Sequence, residues 1–192
     1  MNRLAVALVH YPVLDRQGAL ITTAITNLDL HDIARTARTY GVCAVFIVHP
    51  VAAQRELAQR VKAHWVSGSG ARRIPTREPA MALLQIVPAV EDAYAALGGR
   101  SEVDLYTTSA RRDAAGALGY GGARARIAAT SKASLILFGT GWGIAPSLLE
   151  TADVRLAPIR GTSADDYNHL SVRAACAITL DRLLAGDADR SS

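Results

Sequence analysis

The sequence predicts a single α/β domain with a mostly parallel sheet and helices on both faces. Half of its 192 residues are apolar, which is enough for one sizeable core. Short apolar runs end in histidine, proline, threonine or glycine and alternate with helical patterns. No repeat and no linker divides the chain, so we expect one domain over residues 1–185 and a disordered tail over 186–192.

The first half of the chain begins with a strand, a loop and a helix. The apolar run 4–9 is typical of a strand buried on both faces, and residues 13–24 have the composition of a loop. A helix is predicted from Thr26 to Gly41, with Asn27 as its cap and Gly41 as its stop. Beyond it we expect a strand over 42–48, a helix over 52–65, a turn over 67–70, a short exposed strand over 72–76, and helices over 78–87 and 88–97.

The second half adds two confident strands and a closing helix. The strands are predicted over 103–107 and 134–138, with a glycine-rich connection and a short helix over 123–130 between them. A short helix over 147–151 follows. Asn168 is expected to cap the last helix, which ends at Leu184 with Cys176 and Leu180 facing inward.

Composition limits the function only loosely. The formal net charge is +4 and the pI is near 9.4, which fits a nucleic-acid partner without requiring one. Cys43 and Cys176 lie far apart in apolar segments, so we expect reduced core thiols, and no residues have metal-ligand spacing. No apolar run reaches the roughly 18 residues of a membrane span, and no signal-peptide pattern is seen, so a cytoplasmic location is expected.

The stretch from Leu135 to Val172 is the strongest candidate for a ligand site. An apolar run, LILF, breaks into GTGWG at 139–143, and a second loop over 159–171 can fold against it. A buried strand ending in glycines places main-chain groups at the edge where open α/β folds bind ligands. The glycines match neither GxGxxG nor the phosphate-binding loop. A small-molecule site made largely of main chain and a glycine turn without a ligand are the two interpretations.

Several segments together resemble one known superfamily. TNLDLHDIARTARTYGV, LILFGTGWG and APIRG…DYNHLSVRAACAI, in that order, are similar to the SPOUT superfamily of RNA methyltransferases. The likeness is greatest to a bacterial group that shares ATSAR (here TTSARR, 107–112), FGTGWG and DYNHLSVR signatures. This resemblance implies an α/β fold with a C-terminal trefoil knot, S-adenosylmethionine as cofactor, RNA as substrate, and a homodimer with composite sites.

The resemblance also implies which loops hold the cofactor. In SPOUT enzymes three loops near the knot form the cleft in which S-adenosylmethionine lies. The matching residues here are Thr107, Thr108 and Ser109; Phe138, Gly139, Thr140, Gly141 and Gly143; and Ile159, Arg160, Gly161, Tyr167, Asn168, Leu170 and Val172. An apolar slot with main chain at its edge suits adenine, in agreement with that set.

Catalytic residues are assigned partly from the resemblance and partly from chemistry. Asn27 and Arg35 match the Asn…Arg element of the ribose-methylating branch, where the arginine serves the catalytic centre. An arginine is too basic to be an ordinary base, so we expect Arg35 to act electrostatically near an RNA phosphate. The candidate bases are His31, His169, Asp165 and Asp166, the acidic pair by analogy with the guanine-methylating branch.

Other histidines and arginines have weaker assignments. His10 is a candidate for the acceptor side of the site, whereas His49 and His64 are expected to be structural or exposed. Phosphate contacts are expected at Arg72, Arg73, Arg77, Arg111 and Arg112. The sequence therefore predicts an S-adenosylmethionine-dependent methyltransferase of tRNA or rRNA. The alternatives are a cofactor-binding protein without activity, a methyltransferase with a non-RNA substrate, and an ordinary nucleotide-binding domain.

Overall fold

Six parallel strands form the central sheet of the computed structural model, which describes residues 3–111, 116–165 and 167–185. The strands of these residues are β1 (Leu4–Val9), β2 (Val13–Leu14), β3 (Leu20–Ile21), β4 (Ala44–Val48), β5 (Leu84–Val87), β6 (Val103–Thr107), β7 (Ala133–Gly139) and β8 (Val154–Arg155). The sheet order is β5-β4-β1-β7-β6-β8, while β2 and β3 form a separate antiparallel hairpin.

The helices cover both faces of this sheet. They are α1 (Asn27–Thr39), α2 (Ala52–Val66), α3 (Ser69–Arg73), α4 (Glu78–Met81), α5 (Val90–Ala96), α6 (Tyr120–Ala129), α7 (Pro146–Leu149) and α8 (Val172–Leu184). Residues of α1, α2, α4, α6 and α8 share one apolar core, and those of α5 and α7 share the other. Alternate residues of β1 enter opposite cores, which is why its sequence is an unbroken apolar run.

The strand order changes direction beside β1, and this places the site. From β1 the chain adds β4 and β5 on one side, and later adds β6 and β7 on the other. Val9 at the end of β1 therefore pairs with Gly139 at the end of β7. In open α/β sheets, ligands bind outside the carboxyl ends of the strands at such a switch point.

The segment between α2 and α5 differs most from expectation. The turn expected over 67–70 is confined to residues 67 and 68, and the exposed strand at 72–76 is wrong, because α3 and a short 3₁₀ turn, Pro75–Arg77, occupy this region. The helix expected over 78–87 ends at Met81, and Leu84–Val87 becomes the edge strand β5, which pairs with β4. Pairing with a neighbouring strand overrides the local preference of this alanine- and leucine-rich segment. The 13–24 loop contains the β2–β3 hairpin, and β8 was not predicted.

The predicted caps of α1 and α8 are wrong, whereas the predicted end of α1 is confirmed. Thr26, not Asn27, caps α1, because its Oγ1 accepts a hydrogen bond from the Asp29 amide at 3.2 Å. Ser171, not Asn168, caps α8 in the same way, through the Ala174 amide. Gly41 ends α1 as expected, with φ of 69°.

The two thiols are free, but only one lies in the core. Cys176 is fully buried and Cys43 is exposed, so the core assignment of Cys43 is wrong. None of the helices of the described residues is long and apolar enough to cross a membrane. The tail over 186–192 lies outside the described residues. The trefoil knot and the domain boundary at residue 185 stay predictions.

Candidate functional site

A cleft of about 1110 Å³ opens at the carboxyl ends of β1, β6 and β7. Its walls come from the turn of the β2–β3 hairpin, the start of α1, the residues after β6, the glycine turn after β7 and the last loop before α8. Single ligand pockets usually have roughly 300–1,000 Å³. The cleft is therefore large enough for a nucleotide-sized ligand with part of a second molecule beside it.

The glycine turn is fastened to β1 and to the hairpin. The Thr140 amide donates to the Val9 carbonyl at 3.2 Å, and the Trp142 amide donates to the Leu14 carbonyl at 2.9 Å. The Leu14 amide in turn donates to the Gly143 carbonyl at 2.9 Å. The sequence predicted main-chain groups free to bind a ligand at this turn. The amides of Thr140 and Trp142 instead donate hydrogen bonds within the protein. The turn is thus a rigid wall of the cleft.

Two glycines of this turn have no room for a side chain. A Cβ on Gly139 would lie 2.6 Å from Ile144 Cγ1 and 2.8 Å from the Ile144 amide nitrogen. A Cβ on Gly141 would lie 2.8 Å from the Leu14 carbonyl oxygen, and Gly141 also has a φ of 58°. Backbone approaches backbone here, and a side chain at either position would force the turn away from its neighbours.

Most residues predicted to bind the cofactor line the cleft. They are Thr108, Ser109, Phe138, Gly139, Thr140, Gly141, Gly143, Ile159, Asn168, Leu170 and Val172. Asn168 holds the last loop closed, because its Nδ2 donates to the Ile159 carbonyl at 3.0 Å. Thr108 is anchored through its hydroxyl, which donates to the Leu137 carbonyl at 2.9 Å.

The other predicted cofactor residues lie elsewhere. Thr107 is buried at the end of β6 and does not line the cleft. Arg160, Gly161 and Tyr167 line a small side pocket of about 100 Å³, which shares Asn168 with the cleft. The Thr107 side chain at the end of β6 faces the protein interior, whereas the next two residues, Thr108 and Ser109, line the cleft.

Of the predicted catalytic residues that the structure describes, only His169 lines the cleft. Its ring lies 6.2 Å from that of Trp142 and 5.5 Å from that of Tyr167. Asn27 and Arg35 are exposed on α1, and neither lines the cleft of its own chain. His31 is also outside it and packs edge-on against Trp65 at 5.1 Å.

The structure describes one of the two acidic candidates, Asp165, and assigns it to a turn. Asp166 lies outside the described residues. Asp165 accepts hydrogen bonds from the Ser163 hydroxyl and the Tyr167 amide, which lower the pKa of its carboxyl. Asp165 is therefore a turn residue that stays ionised. The pKa of His31 is lowered too, by burial and by the nearby positive charge of Arg77.

An ion pair between α1 and α8 was not foreseen. Arg173 Nη1 lies 2.8 Å from Asp29 Oδ1, and Arg173 Nε lies 3.3 Å from Asp32 Oδ2. The Thr26 hydroxyl donates to the other Asp29 oxygen at 2.6 Å. This network fixes the start of α1 against the start of α8, and its Thr26, Asp29 and Arg173 line one wall of the cleft. Asp29 and Asp32 favour the positive end of a helix in any case, so nothing in the sequence indicated that they pair with Arg173.

His10 lies behind the cleft wall, so its assignment to the acceptor side is wrong. Its Nδ1 is 3.0 Å from Thr23 Oγ1, which is 2.5 Å from Thr140 Oγ1. Since Thr140 donates to the Val9 carbonyl, Thr23 donates to Thr140 and His10 donates to Thr23. Burial, and secondly the neighbouring His49, lower the pKa of His10 to about 4. His10 is thus a neutral structural residue that supports the glycine turn.

His49 is structural, as expected. Its Nε2 donates to the Thr23 carbonyl at 2.9 Å, and its Nδ1 accepts from the Val51 amide at 3.1 Å. Burial is the main cause of its lowered pKa. The imidazoles of His10 and His49, 5.3 Å apart, together hold the segment that leads into α1.

The buried His10 makes stability depend on pH. Its pKa of about 4 lies below the ordinary 6.5, so the unfolded chain takes up a proton that the folded chain refuses as the pH falls between these values. We expect the free energy of unfolding to drop by about 3 kcal/mol over that range. Urea unfolding followed across this pH range measures the drop. His10→Gln should flatten the profile, and an unchanged profile in that variant would assign the pH dependence to other groups.

The chain matches a family of known proteins along nearly its whole length. Residues 3–185 match the model of a family described as SAM-dependent RNA methyltransferase. A protein of Oleidesulfovibrio alaskensis named tRNA (guanine-N(1)-)-methyltransferase is 42% identical over 189 residues. That match covers 97% of this chain but 43% of that protein, so the chain spans less than half the length of this relative.

A second relative and a solved structure extend the likeness. An uncharacterized protein of Aquifex aeolicus is 41% identical over 184 residues, covering 94% of this chain and 87% of that protein. The crystal structure of the TrmH/SpoU tRNA modifying enzyme of A. aeolicus superposes with a TM-score of 0.53 at 14% identity, covering 99% of this chain and 78% of that chain. At that identity the superposition shows a shared fold.

Proposed function

The chain belongs to the SAM-dependent RNA methyltransferase family, and on that premise we propose that it transfers a methyl group from S-adenosylmethionine to tRNA or rRNA. The SPOUT resemblance and the mostly parallel α/β fold drawn from the sequence are thereby confirmed. The observation that carries the proposal is the cleft at the switch point, bounded by a turn in which Gly139 and Gly141 have no room for a side chain.

The residues of the cleft fit this cofactor. Ile159 and Leu170 supply apolar surface for an adenine, and the main chain of Gly139 and Gly141 forms part of the wall beside it. The hydroxyls of Ser109 and Thr140 lie in the same lining, where they can bind a ribose or an amino-acid group. When bound, S-adenosylmethionine supplies a methyl group on a positively charged sulfur.

The chain's own residues would position the acceptor and take its proton. A one-step displacement gains much of its rate from alignment, which a rigid wall provides. His169 lines the cleft, and we propose that its imidazole accepts a proton from the acceptor.

A homodimer completes the proposed site. Asn27 and Arg35 lie on the exposed face of α1, away from the cleft of their own chain, and Leu28 between them is 63% exposed. A symmetric pairing through α1 would bring Arg35 to the cleft of a second copy. There its guanidinium can bind an RNA phosphate. A cytoplasmic location is part of the same proposal.

The names of the relatives do not establish which nucleotide this chain methylates. The name tRNA (guanine-N(1)-)-methyltransferase belongs to a protein of which this chain matches 43%. A base for guanine was expected at Asp165 or Asp166, and Asp165 is engaged in a turn. We therefore propose tRNA or rRNA as the substrate and no particular nucleotide within it.

Transfer of labelled methyl groups tests the proposal. Purified protein is incubated with labelled S-adenosylmethionine and total RNA from a strain that lacks the gene, and modified nucleosides are identified by mass spectrometry. Label in RNA that is absent from RNA of the parent strain is the expected result. Tight cofactor binding without transfer would indicate a binding protein, and label that survives nuclease treatment would indicate a non-RNA substrate. Binding of NAD(P) but not of S-adenosylmethionine would overturn the family-based function altogether.

A further inference from the structure

Three aromatic rings stand together where the cleft meets its small side pocket, and we propose that they form a stacking platform for an unpaired RNA base next to the methylated nucleotide. They belong to Trp142 of the glycine turn and to Tyr167 and His169 of the last loop. The inference rests on the proposed function and deepens it, since it states how the acceptor is held.

The platform is exposed although it is aromatic. Trp142 is 54% exposed and Tyr167 is 65% exposed, and His169 lies between them at ring distances of 6.2 and 5.5 Å. Large aromatic side chains usually bury most of their surface, so a group of exposed rings indicates a binding surface. Trp142 is held in place through its amide, which donates to the Leu14 carbonyl.

Positive charge surrounds these rings. Arg16 and Arg111 line the same cleft, and Arg160 shares the small side pocket with Tyr167. All three arginines are exposed, and none forms an ion pair within the described residues. Aromatic rings for bases with unpaired cations for phosphates are the usual elements of single-stranded nucleic-acid sites.

The nearby acidic groups do not cancel this charge by direct pairing. Asp15 Oδ1 accepts hydrogen bonds from the amides of Gln17 and Ala19, both at 2.8 Å. Asp165 is held by the Ser163 hydroxyl and the Tyr167 amide. Each carboxylate caps its own turn, so the arginines remain available to phosphates.

Trp142 comes from a different wall of the cleft than the side chains proposed to hold adenine. It belongs to the glycine turn joined to the hairpin, whereas Ile159 and Leu170, like Tyr167 and His169, belong to the last loop. The cleft is also larger than a usual single-ligand pocket. Platform and cofactor can therefore be tested separately, by binding of RNA and of S-adenosylhomocysteine.

Trp142→Ala, with Trp142→Phe as the matched control, tests the platform. Because one base stacked on an aromatic ring is lost, we expect the alanine variant to bind single-stranded RNA oligonucleotides roughly 5- to 100-fold more weakly. The phenylalanine variant should retain most of the affinity. Both variants should bind S-adenosylhomocysteine like the wild type, as measured by calorimetry. The salt dependence of RNA binding should stay the same, because the arginines are intact.

A second measurement reports stacking directly. The chain has two tryptophans, Trp65 and Trp142, so Trp65→Phe leaves Trp142 as the sole reporter. We expect RNA to quench its fluorescence and an oligomer of abasic ribose phosphate to leave it unchanged. Quenching by S-adenosylhomocysteine alone, with weaker cofactor binding in Trp142→Ala, would overturn the inference and make this ring a cover for the cofactor.

The outcomes separate this inference from the function it rests on. If wild-type protein transfers methyl groups to RNA and Trp142→Ala binds RNA equally well, the platform is refuted and the function survives. If wild-type protein binds the cofactor but no RNA, both the RNA substrate and the platform are refuted.

Discussion

Gly141→Ala is expected to reduce affinity for S-adenosylmethionine by at least about 10-fold, or about 1.4 kcal/mol. The new Cβ would lie 2.8 Å from the Leu14 carbonyl oxygen, so the glycine turn must move away from the hairpin. That movement breaks the paired hydrogen bonds between Leu14 and residues 142 and 143. A non-glycine residue at a φ of 58° adds about 1–2 kcal/mol of strain. Calorimetric titration with the cofactor measures the loss.

Gly41→Ala is the matched control for this variant. Gly41 has a similar φ of 69°, but nothing lies within 4 Å of the position that a Cβ would take, and it ends α1 away from the cleft. Its alanine variant should lose stability by about 1 kcal/mol and keep its cofactor affinity. Equal cofactor affinities in the two variants would show that the glycine turn does not form the binding wall.

The main strands could be predicted because each is buried on both faces. Leu4–Val9 and Val103–Thr107 were predicted with their observed bounds, since an unbroken apolar run bounded by polar or turn residues has few other interpretations. The β2–β3 hairpin and β8 have two residues per strand, too few for an alternating pattern to appear. The edge strand β5 depends on its partner β4, which local sequence does not reveal.

The parts of the site that could be predicted from the sequence lie directly after a predicted strand. Residues directly after β7 were placed correctly because a parallel strand ends at the ligand edge, as Gly139 does. The wall made by Arg16 and the network of Asp29 with Arg173 join segments distant in sequence, so no local spacing signals them. In the sequence Trp142 is one residue of the GTGWG motif. Its ring contact with His169 of the last loop is seen only in the folded chain.

Arg35→Ala is expected to lower methyl transfer by about 100-fold or more while sparing cofactor affinity. Arg35 is exposed and outside the cleft of its own chain, so its loss cannot disturb that chain's cofactor wall. Arg38→Ala, which removes another exposed arginine from the same helix, should remain active. Single-turnover transfer and calorimetry measure the two effects. Collapse of cofactor affinity with surviving turnover would show that Arg35 has a different role.

Mixing two impaired variants, at a cofactor concentration that does not saturate Gly141→Ala, tests whether Arg35 acts on a second copy. In a mixed dimer of Arg35→Ala and Gly141→Ala chains, one site combines the intact cleft of the first chain with the intact Arg35 of the second. Random exchange makes about half of the dimers mixed, each with one working site, so about a quarter of wild-type activity should return. If Arg35 served the cleft of its own chain, every site would carry one lesion and no activity would return. Recovery in this mixture therefore separates a composite site from a self-contained one, because each single variant is impaired in both arrangements.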